Sequence, residues 1–291
     1  MQPKHASIAV NGIELSYFEW TPESVGENSY KPTLIFAHAT GFHARVFDAI
    51  IERFAGHRVI SIDLRGHGRS TGGPITHWRQ VSDDVNALIG HLGISQAVGI
   101  GHSMGAHTLL QCTADSPDAF RQLVLFDPVI LMPDYYNYDT AELANNEPHP
   151  TSRRKRDFAS LEEMIVRFKT REPYALFDPR VFEDYCRFGL LHIGESFELA
   201  CPPEVEASVY ESSRSNASIL ETAASTETPA LIIRAQQSQM MDFKGSPTWP
   251  ELASTMPRGT DLYRPDRTHF HPLEDPADAT KIIAEAIDGH A

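Results

Sequence analysis

Five short and continuously apolar runs, each closed by a turn signal, are the strongest constraint on the fold of this 291-residue chain. Continuous runs, in contrast to alternating ones, predict parallel strands in a sheet that is covered on both faces. Residues 76–92 and 277–288 have apolar side chains at helical spacing. Strands that alternate with helices predict a doubly wound α/β domain with a mostly parallel sheet. The runs are TLIFAHA at 33–39, RVISIDL at 58–64, AVGIG at 97–101, LVLFDP at 123–128 and ALIIRA at 230–235.

The N-terminal stretch SIAVNGIELSYFEW (residues 7–20) has a different pattern. Its Asn11-Gly12 pair lies between two apolar stretches, which is a strong β-hairpin signal. We therefore predict that the sheet begins with an antiparallel pair of strands.

The alternation of strands and helices stops between residues 129 and 226, where no convincing buried parallel strand occurs. The helical patterns in this part cover 152–170, around 179–191 and around 203–213. The strand pattern then resumes at residue 230. We therefore predict a core domain of residues 1–128 and 227–291, and an inserted helical cap domain of residues 129–226 over the sheet.

The charge and cysteine content exclude several classes of partner. The net charge is −14, so nucleic acid and anionic membranes should repel the chain. No apolar run reaches the length of a membrane span, and the N-terminus lacks the apolar segment of a signal peptide. The three cysteines (Cys112, Cys186 and Cys201) show no C-x-x-C spacing. We expect reduced thiols in a cytoplasmic protein, and the sequence leaves its oligomeric state open.

The motif GIGHSMGAH (residues 99–107) places Ser103 between two glycines at G-x-S-x-G spacing. A strand pattern precedes the serine and a helix pattern follows it. This context is typical of a nucleophile elbow, whereas an isolated G-x-S-x-G is often an ordinary glycine-rich turn. Gly101 and Gly105 would leave room for the strained serine backbone. The Ser103 side chain would then stand at the carboxyl ends of the strands, where open α/β sheets bind ligands.

Four further features, together with the elbow, resemble the α/β-hydrolase fold family over nearly the whole chain. HATGFH (38–43) resembles the H-G-x-x-G oxyanion loop, with Ala39 where glycine is usual. DLRGHGRS (63–70) resembles the D-x-R-G-x-G-x-S turn of the epoxide-hydrolase-like and esterase branch, and THFHPLEDP (268–276) resembles the segment that carries the family histidine. The helical insertion lies where the family places its cap. The resemblance implies hydrolase activity without a cofactor, and no histidine spacing indicates a metal site.

The resemblance implies that His269 is the catalytic base, with His271 as a nearby rival. The family usually carries the acid after the last of the five apolar runs, where this chain has Ser238, which cannot hold a charge. Asp127 in LVLFDPV resembles the L-D-P-A acid of pancreatic-type lipases, and we favour it over Asp242. The alternative interpretation of Asp127 is a structural Asp-Pro turn.

These residues predict a serine hydrolase. His269, oriented by Asp127, would take the proton of Ser103 as the serine attacks an ester carbonyl. The backbone N–H groups of Met104 and Thr40 would stabilise the resulting oxyanion. We expect the substrate to be a small or medium apolar carboxylic ester.

Several alternatives stay open from sequence alone. A C–C bond hydrolase, a lactonase, an amidase or a cofactor-free haloperoxidase would use the same triad. A non-catalytic ligand receptor or interaction protein is an alternative of another class, but such proteins typically lack the serine or the histidine. The basic run RRKR (153–156) could bind an anionic substrate at the cap or, as is more common, form a solvated helix face.

Overall fold

The computed structural model describes residues 2–22, 31–137, 148–237 and 244–289. Its strands form a large central sheet and a small separate one. The strands, in chain order, are β1 (Lys4–Val10), β2 (Ile13–Trp20), β3 (Leu34–Ala37), β4 (Val59–Ile62), β5 (Ala97–His102), β6 (Phe120–Phe126), β7 (Asp157–Phe158), β8 (Leu190–Ile193), β9 (Ser196–Leu199), β10 (Ala230–Arg234) and β11 (Gly259–Tyr263).

The central sheet has the strand order β1-β2-β4-β3-β5-β6-β10-β11. Strand β2 is antiparallel to both β1 and β4, and every other neighbouring pair is parallel. All five apolar runs form strands of this sheet, so the predicted α/β fold with a mostly parallel sheet is confirmed. The edge strand β11 was not predicted, because its sequence GTDLY is largely polar and its side chains are partly exposed.

The N-terminal hairpin was also predicted correctly. Strands β1 and β2 pair with Val10 opposite Ile13, which leaves a two-residue turn. Both turn residues have positive φ, 46° at Asn11 and 78° at Gly12, as a type I′ turn requires.

Helices lie on both faces of the sheet and, between β6 and β10, in the inserted segment. They are α1 (Asp48–Ile51), α2 (Arg79–His91), α3 (Met104–Asp115), α4 (Leu161–Phe168), α5 (Pro179–Phe188), α6 (Pro203–Glu211), α7 (Ser218–Ser225), α8 (Leu252–Thr255), α9 (His271–Glu274) and α10 (Pro276–Ile287). Within the described ranges, no helix is long and apolar enough to cross a bilayer.

Two hydrophobic clusters cover the two faces of the sheet. On one face, α2 and α3 pack Val85 and Leu109 against strand residues such as Ile60. On the other face, α10 contributes Ile283, and the inserted segment contributes aromatic residues such as Phe158. Burial on both faces explains why the parallel strands are apolar without alternation.

The first helix predicted in the inserted segment is shorter in the structure than in the prediction. The helix predicted over 152–170 begins only at Leu161, where the Ser160 side chain accepts a hydrogen bond from the Glu163 N–H group. The basic run before it lies outside α4, with Arg153 at the end of a short 3-10 helix (Pro150–Arg153), and Arg156 lies beside β9 because its carbonyl accepts a hydrogen bond from the Leu199 N–H group. Strands β7, β9 and β8 form an antiparallel sheet that the sequence pattern did not predict.

A buried histidine connects α3 to the inserted segment. His107 donates its Nδ1 hydrogen to the Val129 carbonyl at 2.9 Å and accepts from the Asn216 amide at 3.0 Å. Burial lowers the pKa of His107 to about 4, so its ring is neutral in the folded protein at physiological pH. In the unfolded chain the ring would protonate near pH 6.5.

We therefore expect His107 to make the free energy of unfolding depend on pH. Protonation stabilises only the unfolded chain between pH 6.5 and about 4, so stability falls as the pH is lowered through this window. The contribution of this ring is about 1 kcal/mol between pH 7.5 and 5.5. Urea unfolding at pH 7.5 and at pH 5.5 should show that the free energy of unfolding falls less for His107→Gln than for the wild type. His91→Gln, at an exposed position, is the control and should retain the wild-type loss.

Candidate active site

Ser103 stands at the turn between β5 and α3, with φ 57° and ψ −116°. This backbone conformation is sparsely populated for a residue other than glycine and is typical of strained functional turns. The Ser103 N–H group bonds to the Phe126 carbonyl at 2.9 Å, which ties the turn to the neighbouring strand β6. The serine side chain thus lies at the carboxyl ends of the central strands.

The two flanking glycines allow this turn. A Cβ atom at Gly105 would lie 2.1 Å from the Ala37 carbonyl oxygen, and one at Gly101 would lie 2.4 Å from the Ala106 Cα atom. Both neighbours are backbone atoms, which cannot move aside like a flexible side chain. The first turn of α3 can therefore approach β3 and β5 only with glycine at these positions.

Ser103, His269 and Asp127 form a continuous hydrogen-bonded row. The Ser103 hydroxyl donates to His269 Nε2 at 3.0 Å, and His269 Nδ1 donates to Asp127 Oδ2 at 2.6 Å. Asp127 directly follows β6, and His269 lies between β11 and α9. The structure therefore brings together three residues that are distant in sequence. His271 lies outside the row, and its Nε2 bonds to Asp278 Oδ2 at 2.7 Å.

The second carboxylate oxygen of Asp127 is held by three donors. The Ala235 N–H group donates at 3.0 Å, the Ser246 hydroxyl also donates, and the Thr248 hydroxyl shares its hydrogen between this oxygen at 3.2 Å and the Pro128 carbonyl at 2.7 Å. These bonds hold the carboxyl group in place and leave Oδ2 for the histidine. Sequence reasoning missed Ser246 and Thr248 because GSPTWP carries no recognisable motif. Asp242 and Ser238 lie outside the described residues.

His102 lies next to His269 and bonds to its backbone. Its Nε2 hydrogen is donated to the His269 carbonyl at 2.7 Å, and the two ring centroids are 5.1 Å apart. Burial lowers the pKa of His102 well below its usual value. A neutral imidazole therefore fixes the backbone of His269 without adding a charge beside it.

The loop that contains Thr40 lies against the start of α3. The Thr40 hydroxyl is 3.8 Å from the Met104 sulfur. The backbone N–H groups of Thr40 and Met104 have no hydrogen-bond acceptor among the described residues. Unpaired N–H groups at a helix N-terminus attract negative charge.

Asp63 fixes the far end of this loop. Its carboxylate accepts the Ala44 N–H group at 2.7 Å and the Arg69 N–H group at 2.8 Å. Burial raises the pKa of Asp63 to about 6. The nearby Arg65 forms an ion pair with Asp84 at 2.7 Å. Asp63 and Arg65 therefore hold the turn after β4.

A cluster of aromatic side chains adjoins His269, whose ring lies 5.4 Å from that of Phe270. The Phe42 ring lies 5.7 Å from Phe177, 5.4 Å from Tyr185 and 6.2 Å from Phe270, between ring centroids. Phe270 directly follows His269. The rings of Phe177 and Tyr185 belong to the inserted segment, which therefore forms part of the environment of the site. In the described part of the chain, no group of three or more His, Cys, Asp or Glu residues is arranged to hold a metal ion.

Comparison with known proteins gives one family match that covers most of the chain. The model of the alpha/beta hydrolase family matches residues 34–282. A monoacylglycerol lipase of Mycolicibacterium smegmatis is 31% identical over 137 residues, which are 44% of this chain and 47% of the lipase. In eight curated relatives, the region that matches this chain spans between 29% and 54% of the length of the relative.

Solved structures match over nearly the full length. E-2-(acetamidomethylene)succinate hydrolase has a TM-score of 0.76 at 19% identity, covering 99% of this chain and 100% of that one. The peroxisomal alpha-beta-hydrolase Lpx1 from Saccharomyces cerevisiae has a TM-score of 0.78 at 18% identity, covering 99% of this chain and 88% of that one. At these identities the likeness concerns the fold.

The substitution Gly105→Ala should disrupt the turn, although alanine is a better helix former than glycine. The new Cβ would meet the Ala37 carbonyl oxygen, and we expect a loss of about 3 kcal/mol in the free energy of unfolding. Gly90→Ala in α2 is the matched control, because a Cβ there meets nothing within 4 Å. It should be neutral or stabilise by up to about 1 kcal/mol. Urea unfolding followed by circular dichroism measures both, and equal stabilities of the two variants would contradict the steric argument.

Proposed function

The chain belongs to the alpha/beta hydrolase family, and on this basis we propose that it is a serine hydrolase that cleaves carboxylic esters of small to medium apolar substrates. The observation that carries the proposal is the hydrogen-bonded row from Ser103 through His269 to Asp127. The names of its relatives support ester cleavage, since they include a monoacylglycerol lipase and a bifunctional esterase/perhydrolase.

In the proposed reaction, His269 acts as the general base. Its Nδ1 hydrogen is directed to Asp127, so Nε2 carries the lone pair that takes the Ser103 proton. The serine oxygen then attacks the ester carbonyl carbon. The Asp127 carboxylate compensates the positive charge that forms on the imidazole ring.

The developing oxyanion would bind between two backbone donors. The Met104 N–H group at the start of α3 and the Thr40 N–H group are the donors that we propose for this role. Their free N–H groups and the contact between the two residues support this assignment. The protonated His269 then passes its proton to the leaving alcohol, and a water activated by the same ring hydrolyses the acyl-enzyme.

We further propose that the inserted segment, residues 129–226, is the cap that forms the substrate pocket. Phe177 and Tyr185 from this segment pack on Phe42 and Phe270 beside the reacting groups. Rings at this position favour an apolar acyl or alcohol group, because they provide buried apolar surface. The cytoplasmic location also remains a proposal, supported by three free and buried cysteines.

The first test is Ser103→Ala. We expect loss of ester hydrolysis with an unchanged circular dichroism spectrum, because the variant removes only the nucleophile. A panel of p-nitrophenyl esters from short to long acyl chains, with a lactone and an epoxide included, measures the activity. A fluorophosphonate should label the wild type at Ser103 and fail to label the variant. Turnover above a few per cent of the wild type would refute the assignment.

The second test is Asp127→Asn. The three donors on Oδ1 would hold the amide oxygen there and turn the amide nitrogen toward His269 Nδ1. That arrangement favours the wrong imidazole tautomer and removes the compensating charge, so kcat should fall at least about a hundred-fold. Asp242→Asn is the comparison, and it should cost far less. A larger loss for Asp242→Asn would move the acid to the later position.

A further inference from the structure

A basic cavity lies in the inserted segment. Its volume is about 240 Å³, room for several water molecules. The lining residues are Pro150, Arg153, Arg154, Lys155, Arg167, Phe168 and Arg171. Five of these seven carry a positive charge, although acidic residues outnumber basic ones 39 to 25 in the chain.

Some of these basic side chains pair with nearby carboxylates. Glu163 pairs with Lys155, and Glu206 pairs with Arg154. Among the described residues, no carboxylate lies within ion-pair distance of Arg167 or Arg171. Arg167 and Arg171 therefore bring positive charge to this cavity that no described carboxylate pairs with, and an anion bound there would reduce the repulsion between these groups.

Arg154 is preorganised at the inner end of the cavity. Its side chain is only 18% exposed, and its Nη2 group donates to the Tyr174 hydroxyl at 2.7 Å and to the Tyr185 hydroxyl at 3.2 Å. These bonds and the Glu206 pair use three of its five N–H donors. The remaining donors, on Nε and Nη1, have no acceptor among the described residues.

The same arginine borders the loop of the proposed oxyanion donor. With Tyr185, Gly41 and Phe42, it lines a second and much smaller cavity. Its partner Glu206 packs on Gly41, where a Cβ atom would lie 2.9 Å from the Glu206 Oε1 atom. Arg154 therefore lies between the basic cavity and the proposed catalytic loop.

We propose that this cavity binds an oxyanion group, a phosphate or a carboxylate of a small molecule. Arginine forks match the geometry of such groups and form charge-assisted hydrogen bonds with them. The proposed ester hydrolysis does not require this site. The anion is either the acidic group of a substrate or a separate ligand, and the two sources predict different kinetics.

Binding is measured by isothermal titration of the whole protein with inorganic phosphate and with pyrophosphate at low ionic strength. The test variant is the double substitution Arg167→Gln and Arg171→Gln, at two side chains that have no carboxylate partner in the described part of the chain. We expect saturable binding to the wild type and at least tenfold weaker binding to the double variant. Lys169→Gln is the matched control, since it removes an exposed charge at the end of α4 that does not line the cavity. It should bind like the wild type.

The source of the anion is distinguished by kinetics with two p-nitrophenyl esters, a butyrate and a glutarate monoester. If the anion belongs to the substrate, the double variant raises KM at least tenfold for the glutarate ester and leaves the butyrate unchanged. If it is a separate ligand, both KM values stay unchanged while phosphate binding is lost. Ser103→Ala should bind phosphate normally, so this outcome is independent of the proposed hydrolysis. Absence of saturable binding to the wild type, or equal weakening in Lys169→Gln, would overturn the proposal.

Discussion

The close approach of the first turn of α3 to β3 and β5 is the constraint on which the rest of the site depends. It requires glycine at positions 101 and 105 and places Ser103 in a strained conformation. The same approach brings Met104 against the loop that contains Thr40, with the Thr40 hydroxyl 3.8 Å from the Met104 sulfur. A single steric arrangement thus presents the hydroxyl and leaves beside it the N–H groups of Thr40 and Met104, which have no acceptor in the part of the chain that the structure describes. The strain is maintained because the Ser103 N–H group is also bonded to β6.

The electrostatics of the site are arranged by burial and by hydrogen bonds to neutral groups. Asp127 receives its three additional bonds from a backbone amide and two hydroxyl groups, none of which carries a charge. His102 is kept neutral by burial and supports His269 through the backbone carbonyl. Consequently His269 and Asp127 are the two titratable groups in the row that begins at the serine. The imidazolium formed during the proposed reaction has the Asp127 carboxylate opposite it.

The sequence predicted those features that local chemistry determines. Parallel strands buried on both faces are continuously apolar, and the elbow needs small residues at fixed spacing, so both are visible as short patterns. Strand β11 escaped prediction because it lies at the sheet edge, where polar residues are tolerated. Ser246 and Thr248 were missed because they approach Asp127 from about 120 positions away in sequence, without any motif. The basic run at 153–156 was assigned to a helix because its ion-pair partners, such as Glu198 and Glu206, lie more than 40 positions later, where a local pattern does not reveal them.

The inserted segment and the sheet contribute different groups to the site. The sheet supplies the row from Ser103 to Asp127 through strand ends whose register is set by ladder hydrogen bonds. The inserted segment supplies aromatic rings and the Arg154–Glu206 pair, and these contact the site through the loop around Gly41 and Phe42. Substitutions in the segment can therefore change which molecule is bound without displacing the serine–histidine–aspartate row. Because Glu206 packs directly on Gly41, however, a change in the charge of this pair also acts on the loop that holds the Thr40 N–H group. The ligand recognition that we propose for the segment and the oxyanion stabilisation that we propose at the sheet are thus connected at Gly41.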